Sequence, residues 1–159
     1  NMSFNNLINL IGLVCSRLSF LLVILVSTDV FLRYIFNFSS ASIYELEWHI
    51  FALIFLLGSV YTLYKDEHVR VDVFYNRLSK KNQEIINQIG NVLFLIPFGL
   101  VIAYTSIPFV EDSYKILESS PDPGGLPFRF VIKSAITLSF FLLSIIGIIR
   151  IKKTLKNRN

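Results

Sequence analysis

The sequence predicts an all-α integral membrane protein with four transmembrane helices and both N- and C-termini in the cytoplasm. Three observations predict it. The 159-residue chain is 53% hydrophobic and only 16% charged, where soluble domains run at about 45–50% and about 25%. Its apolar residues gather into four runs, and a bilayer crossing needs roughly 20 such residues. Its lysines and arginines divide unevenly between the segments that join those runs, the asymmetry that fixes orientation in membranes.

The first run covers 7–32 and is interrupted by Arg17 and Asp29. The stretch 33–42 that follows is rich in Ser and Asn, which favour loops. Ser42 with Glu45 matches the S-x-x-E capping box, which predicts a second helix over 43–64. Its interior from Ile50 to Leu63 carries no charge. The connector 65–84 is polar, with Ser79 as a helix start. A third run covers 85–110 and contains Pro97, which bends a membrane helix where neighbours satisfy the freed carbonyl. In 111–129 the prolines 121, 123 and 127 with Gly124 and Gly125 exclude a helix and predict successive turns. The fourth run covers 130–151, and Lys133 near its start is expected to snorkel to the headgroups. The connectors are too short to fold alone, so 1–159 reads as a single membrane domain. No basic n-region precedes the first run, so no cleaved signal peptide is expected.

A net charge of +4 and a pI near 9.3 could suggest nucleic acid. The placement of the charge argues for lipid instead. Arg150, Lys152, Lys153, Lys156 and Arg158 directly follow an apolar run, where basic residues meet anionic headgroups. Lys65, Arg70, Arg77, Lys80 and Lys81 lie in the middle connector, whereas the two other connectors and their edges hold only Arg33, Lys115, Arg129 and Lys133. The middle connector and both termini are therefore expected on the cytoplasmic side.

Soluble chemistry finds little footing. Cys15 is the lone cysteine, so it forms neither an internal disulfide nor a thiolate metal cage. His49 and His68 stand near opposite ends of one helix, about 28 Å apart by helical rise, too far to grip one haem. No nucleotide-binding, zinc-protease or nucleophile-elbow motif is present. The middles of the second and fourth runs are almost purely apolar, which gives little support for the broken helices and mid-membrane polar groups of a transporter core. The remaining candidates are rim charges. Asp29 and Arg33 share a helix face by i,i+4 spacing, as do Glu45 and His49, with Glu47 and Trp48 between them. Each fits a local ion pair or a solvated helix start, and each equally fits contact with a partner chain. His68, Arg70 and Asp72 alternate with valines, as in a segment lying at the membrane surface. The candidate subunit-interface residues are thus Arg33, Glu45, Glu47, Trp48, His68, Arg70 and Asp72, with no catalytic, cofactor or metal site.

Several of these pieces resemble the small membrane subunit of the tripartite ATP-independent periplasmic (TRAP) transporters. They are Arg33-Tyr34-Ile35-Phe36, Tyr44-Glu45-Leu46-Glu47-Trp48-His49, Leu57-Gly58, His68-Val69-Arg70-Val71-Asp72, and Ser120-Pro121-Asp122-Pro123-Gly124-Gly125-Leu126-Pro127 with Lys133 beyond it. Their order and the four-helix layout match over nearly the whole chain. The resemblance implies a multi-pass subunit of the bacterial inner membrane. It would brace a large multi-helix subunit that moves an organic acid with sodium ions, supplied by a periplasmic substrate-binding protein. It implies no cofactor and no catalysis here, with the sodium ions held in the large subunit. The Ser-Pro-Asp-Pro-Gly-Gly stretch is similar to the subgroup whose binding proteins take 2-oxo acids. The competing reading is a four-helix anchor of a redox complex, which a visible absorption spectrum would reveal.

Orientation is directly testable. With Cys15→Ser as background, single cysteines at Lys80 and Ser119 should behave oppositely. An impermeant thiol reagent outside spheroplasts should label position 119 and miss position 80. The reverse pattern would invert the topology.

Overall fold

The computed structural model describes residues 2–65, 75 and 77–156. Among these there is no strand. The helices are α1 (Met2–Phe36), α2 (Ala41–Lys65), α3 (Lys80–Ile89), α4 (Ile96–Lys115) and α5 (Phe130–Lys156), with a π-helical segment, Gly90–Leu95, joining α3 to α4. Four helical stretches are long and apolar enough to cross a membrane, the third being the continuous Lys80–Lys115. The helices run past the predicted spans at most ends, because apolarity marks only the part inside the lipid.

Packing runs from α1 to α2, α2 to α5, and α5 to α4, so α2 and α5 are the inner helices, and α5 is the more deeply buried of the two. In the most apolar window of α5, 39% of residues are buried, against 6% in α1. The reason lies in how α1 makes contact. Its buried and half-buried positions include Phe4, Ile8, Ile11, Cys15, Leu18, Leu22, Leu25, Asp29 and Leu32, with Gly12 beside Ile11. These steps of three and four trace one narrow seam of coiled-coil type. The faces beside the seam are apolar and open, with Phe20 and Val23 among the most exposed.

The core sits at the end of the bundle nearest Lys65. Ile8, Ile11 and Cys15 of α1 meet Val60 and Leu63 of α2 and Leu142, Leu143 and Ile146 of α5. Small residues let the backbones approach, as membrane helices require when no water is available to drive them together. A methyl group on Gly12 would strike the Tyr61 ring. On α4, Gly99, Ala103 and Ser106 are buried. The Ser106 and Thr137 hydroxyls hydrogen-bond at 2.7 Å. At the same end the Arg150 guanidinium donates to the Leu63 carbonyl near the close of α2.

Two local expectations meet different fates. Ser79 does cap a helix, its hydroxyl accepting from the Asn82 N–H at 3.4 Å. That helix, α3, buries no residue; Gln83 and Asn87 tie it to Tyr75. The bend expected at Pro97 takes the form of the π segment just before it. Proline at the head of α4 has no N–H for the preceding turn, and the helix widens there. Pro108 is a second helix-interior proline.

A side chain at Gly99 would collide with Ser144 Oγ and lie 3.1 Å from the Phe140 carbonyl. Gly99→Ala should therefore lower the melting temperature in detergent, by the equivalent of about 1–3 kcal/mol of overpacking. Ser144→Ala should restore part of the loss. Gly58→Ala, with nothing within 4 Å, should lose nothing.

Candidate functional site

At the end of the bundle opposite the core the packing is polar, and Glu45 is its centre. The residue is 2% exposed, although it stands in the first turns of α2. A buried carboxylate demands donors, and the 120–129 segment supplies them. The Ser120 hydroxyl and the Arg129 guanidinium, the latter at 2.9 Å, donate to Oε1. The Leu126 N–H donates to Oε2 at 2.6 Å.

The turn chemistry of Ser-Pro-Asp-Pro-Gly-Gly-Leu-Pro makes this possible. The Ser120 N–H bonds the Leu126 carbonyl at 3.0 Å, closing the loop across its base. The Ser120 hydroxyl also accepts from the Asp122 N–H at 3.1 Å. Gly124 has a φ of 78°, the left-handed region where a Cβ is penalised. Gly125 is required for a different reason: a methyl group there would strike the Ser120 side chain and lie 2.9 Å from Glu45 Oε2. The loop thus brings its backbone directly against the carboxylate.

This geometry corrects the expected capping box. The α2 helix begins at Ala41, with the Ser40 carbonyl accepting from the Tyr44 N–H at 3.2 Å. The Ser42 hydroxyl donates across to the Gly124 carbonyl, and Glu45 faces the loop instead of the helix start. Both residues of the motif are spent on a segment about eighty positions away. Contact over that separation has no local sequence signal, so nothing near Glu45 in the sequence points to Ser120 or Arg129. The prolines and glycines gave the only warning that the loop is structured.

Around this centre lie the neighbouring rim residues. Arg129 sits over the Trp48 ring at 5.9 Å from its centroid, and Trp48 and His49 have centroids 3.9 Å apart. The His49 ring Nδ1 bonds the Glu45 backbone carbonyl as its N–H tautomer would, not the carboxylate. Lys133 does not snorkel freely. It pairs with Glu118 and lies 4.0 Å from the Phe109 ring centroid. That ammonium, with Arg129 nearby, holds the Glu118 carboxyl below the usual carboxylate range.

A second cluster occupies the α1–α2 seam. Asp29, 4% exposed, pairs with Arg33, whose side chain is half exposed. Glu47 lies within electrostatic reach of both, and its Oε1 is buried without a hydrogen-bond partner. Among the described residues only Asp29 is ion-paired with the arginine. His68, Arg70 and Asp72 lie outside the described residues, so they cannot be placed relative to either cluster. Among the described residues no three His, Cys, Asp or Glu side chains converge as metal ligands.

The arrangement defines a multi-pass helical membrane subunit. Its polar groups at this rim are spent on holding a loop and a helix seam, and one lipid-facing helix is barely buried. The family model described as "Tripartite ATP-independent periplasmic transporters, DctQ component" matches residues 22–157, and the chain belongs to this family. It is also similar to a Haemophilus influenzae protein named "Putative TRAP transporter small permease protein". The two are 29% identical over 132 residues, 83% of this chain and 82% of that protein. Neither match favours the redox-anchor reading.

Two outcomes test the site. Gly125→Ala should push the loop off Glu45 and speed tryptic cleavage after Arg129, while far-ultraviolet circular dichroism stays unchanged. The Glu118 carboxyl is depressed in the folded protein, so its stabilising effect is complete above the unfolded value of about 4.3 and is lost as pH falls through the folded value. The melting temperature of Glu118→Gln should accordingly lie below wild type at pH 7, and the gap should close on acidification.

Proposed function

We propose that this chain is the small subunit of a sodium-coupled TRAP symporter importing an organic acid across the bacterial inner membrane. In this reading it binds and braces the large multi-helix subunit in a heteromeric complex, and a periplasmic substrate-binding protein delivers the carboxylate. It performs no catalysis, holds no cofactor and meets no nucleic acid; the sodium ions belong to the large subunit. The observation that carries the reading is α1. An apolar helix of 35 residues that buries one seam leaves most of its surface for lipid or another membrane chain.

The interface residues of this reading divide by geometry. Arg33 and Glu47 offer an arginine still half exposed and a carboxylate oxygen without a donor. Trp48 is 37% exposed beside them. Glu45 is covered by its own loop, so it would act on a partner through that loop. His68, Arg70 and Asp72 would serve from the cytoplasmic connector.

Arg33→Ala and Glu47→Ala should each lower co-purification with the large subunit and substrate uptake in step. The affinity of the isolated binding protein for substrate should not change. Normal assembly with uptake abolished would overturn the bracing role and assign this chain a direct part in transport.

A further inference from the structure

Arg17 is the one charged residue of α1 before Asp29. It lies just off the packing seam, between Cys15 and Leu18, and is exposed. Among the described residues no hydrogen bond or ion pair reaches its guanidinium. Its place along α1 is bracketed by two contacts. Near one rim the Tyr64 hydroxyl, beside Lys65, donates to Asn5 Oδ1. At the other, Asp29 pairs with Arg33. Arg17 stands twelve residues from Asn5 and twelve from Asp29, about 18 Å from each at 1.5 Å per residue.

An unpaired arginine midway between these contacts, flanked by Ser16 and Ser19 on a helix that is otherwise largely apolar there, is left unsatisfied within this chain. Charged groups inside a span face protein or water and find partners there. Snorkelling shortens the distance to the headgroups, and the side chain does lean toward the helix N-terminus. Its length nevertheless covers well under half of the way to the Asn5 rim. One and two turns toward the helix N-terminus lies a wholly apolar groove of about 260 Å³, to which Val14 and Leu10, three and seven residues before Arg17, contribute together with Leu57 and Leu142. Leu138 lines this groove and a larger one of about 630 Å³ between α4 and α5. The charge therefore borders a seat shaped for apolar side chains.

We propose that Arg17 is an intramembrane docking residue for a helix of the large subunit. That helix places apolar side chains in the groove and presents a carboxylate, or the free carbonyls of a helix end, to the guanidinium in the half of the membrane nearer Lys65. Charge complementarity selects this occupant: an apolar helix would leave the arginine unsatisfied, and a lipid phosphate lies too far toward the rim. The inference rests on the proposed partnership with the large subunit and adds its position and chemistry.

The experiment co-expresses the tagged chain with its large subunit and measures co-purified large subunit, for wild type, Arg17→Leu and Arg17→Lys. The melting temperature of each small subunit alone is measured in parallel. Arg17→Leu should leave that temperature unchanged or higher, because it removes an unpaired charge, yet reduce co-purification about tenfold, equivalent to about 1.4 kcal/mol. Arg17→Lys should recover part of the loss. A photo-crosslinker at Leu13 or Leu21, one turn either side of Arg17, should capture the large subunit from wild type and lose it in Arg17→Leu. If Arg17→Leu assembles and crosslinks like wild type, the arginine serves lipid and the proposal is overturned. If wild type itself fails to co-purify, the partnership reading falls instead.

Discussion

Taking the Glu45 carboxylate out of water at the head of a membrane helix is the constraint that orders the half of this molecule opposite Lys65. An ionised group at 2% exposure survives only when its lone pairs meet donors and its charge meets a cation. The chain satisfies both with one segment, using a hydroxyl, a backbone N–H and a guanidinium. The consequences spread outward. Gly125 must lack a side chain so that backbone can approach, and Gly124 must turn left-handed to present its carbonyl to Ser42. Arg129 must stand one residue before α5, which sets where that helix enters the bundle. The loop is therefore structured by a residue on another helix, not by its own hydrophobic core.

The two ends of the bundle are held by different physics. Near Lys65, isoleucines, leucines and a valine interlock around α5, and the polar groups there are largely helix ends. Near Glu45, ion pairs and hydrogen bonds replace apolar interlocking. Between them, hydroxyls of α4 and α5 bond each other or the preceding turn, as Ser106 does with Thr137 and Ser144 with the Phe140 carbonyl, whereas the Ser139 hydroxyl is buried without a partner among the described residues. Such bonds are worth little individually in a membrane. Their use is that small hydroxyl-bearing residues keep α4 and α5 close without leaving polar atoms facing lipid.

The sequence made the four spans legible because burial in lipid imposes a length and composition that a window of residues records. Ser79 was legible because capping is local. The Ser42–Glu45 motif was locally correct and globally misleading: the same side chains that close a capping box are the ones a distant loop can recruit, and long-range satisfaction won. Lys133 misled for the same reason, since snorkelling assumes no acceptor nearby, and Glu118 provides one. The Asp29–Arg33 pair was readable from i,i+4 spacing, whereas Glu47 joining them across the seam was not. The family resemblance located the loop and the rim charges without saying what they bond.

Arg17 and Asp29, the two charges that interrupt the apolar run of α1, have opposite fates, and the heptad pattern explains why. Asp29 falls on the seam that begins at Ile8 and returns every three or four residues. It is therefore carried against α2, where Arg33, one turn away, can neutralise it. Arg17 falls two residues past one seam position and one before the next. It is turned outward by the same repeat that buries Asp29, and no acidic residue stands three or four positions away on either side to pair with it. The packing of α1 on its own bundle thus settles one charge internally and presents the other to whatever lies alongside. A helix selected only to face lipid gains nothing from such an arginine, which costs insertion energy at that depth. Its retention is intelligible when the outward face of α1 is itself half of an interface.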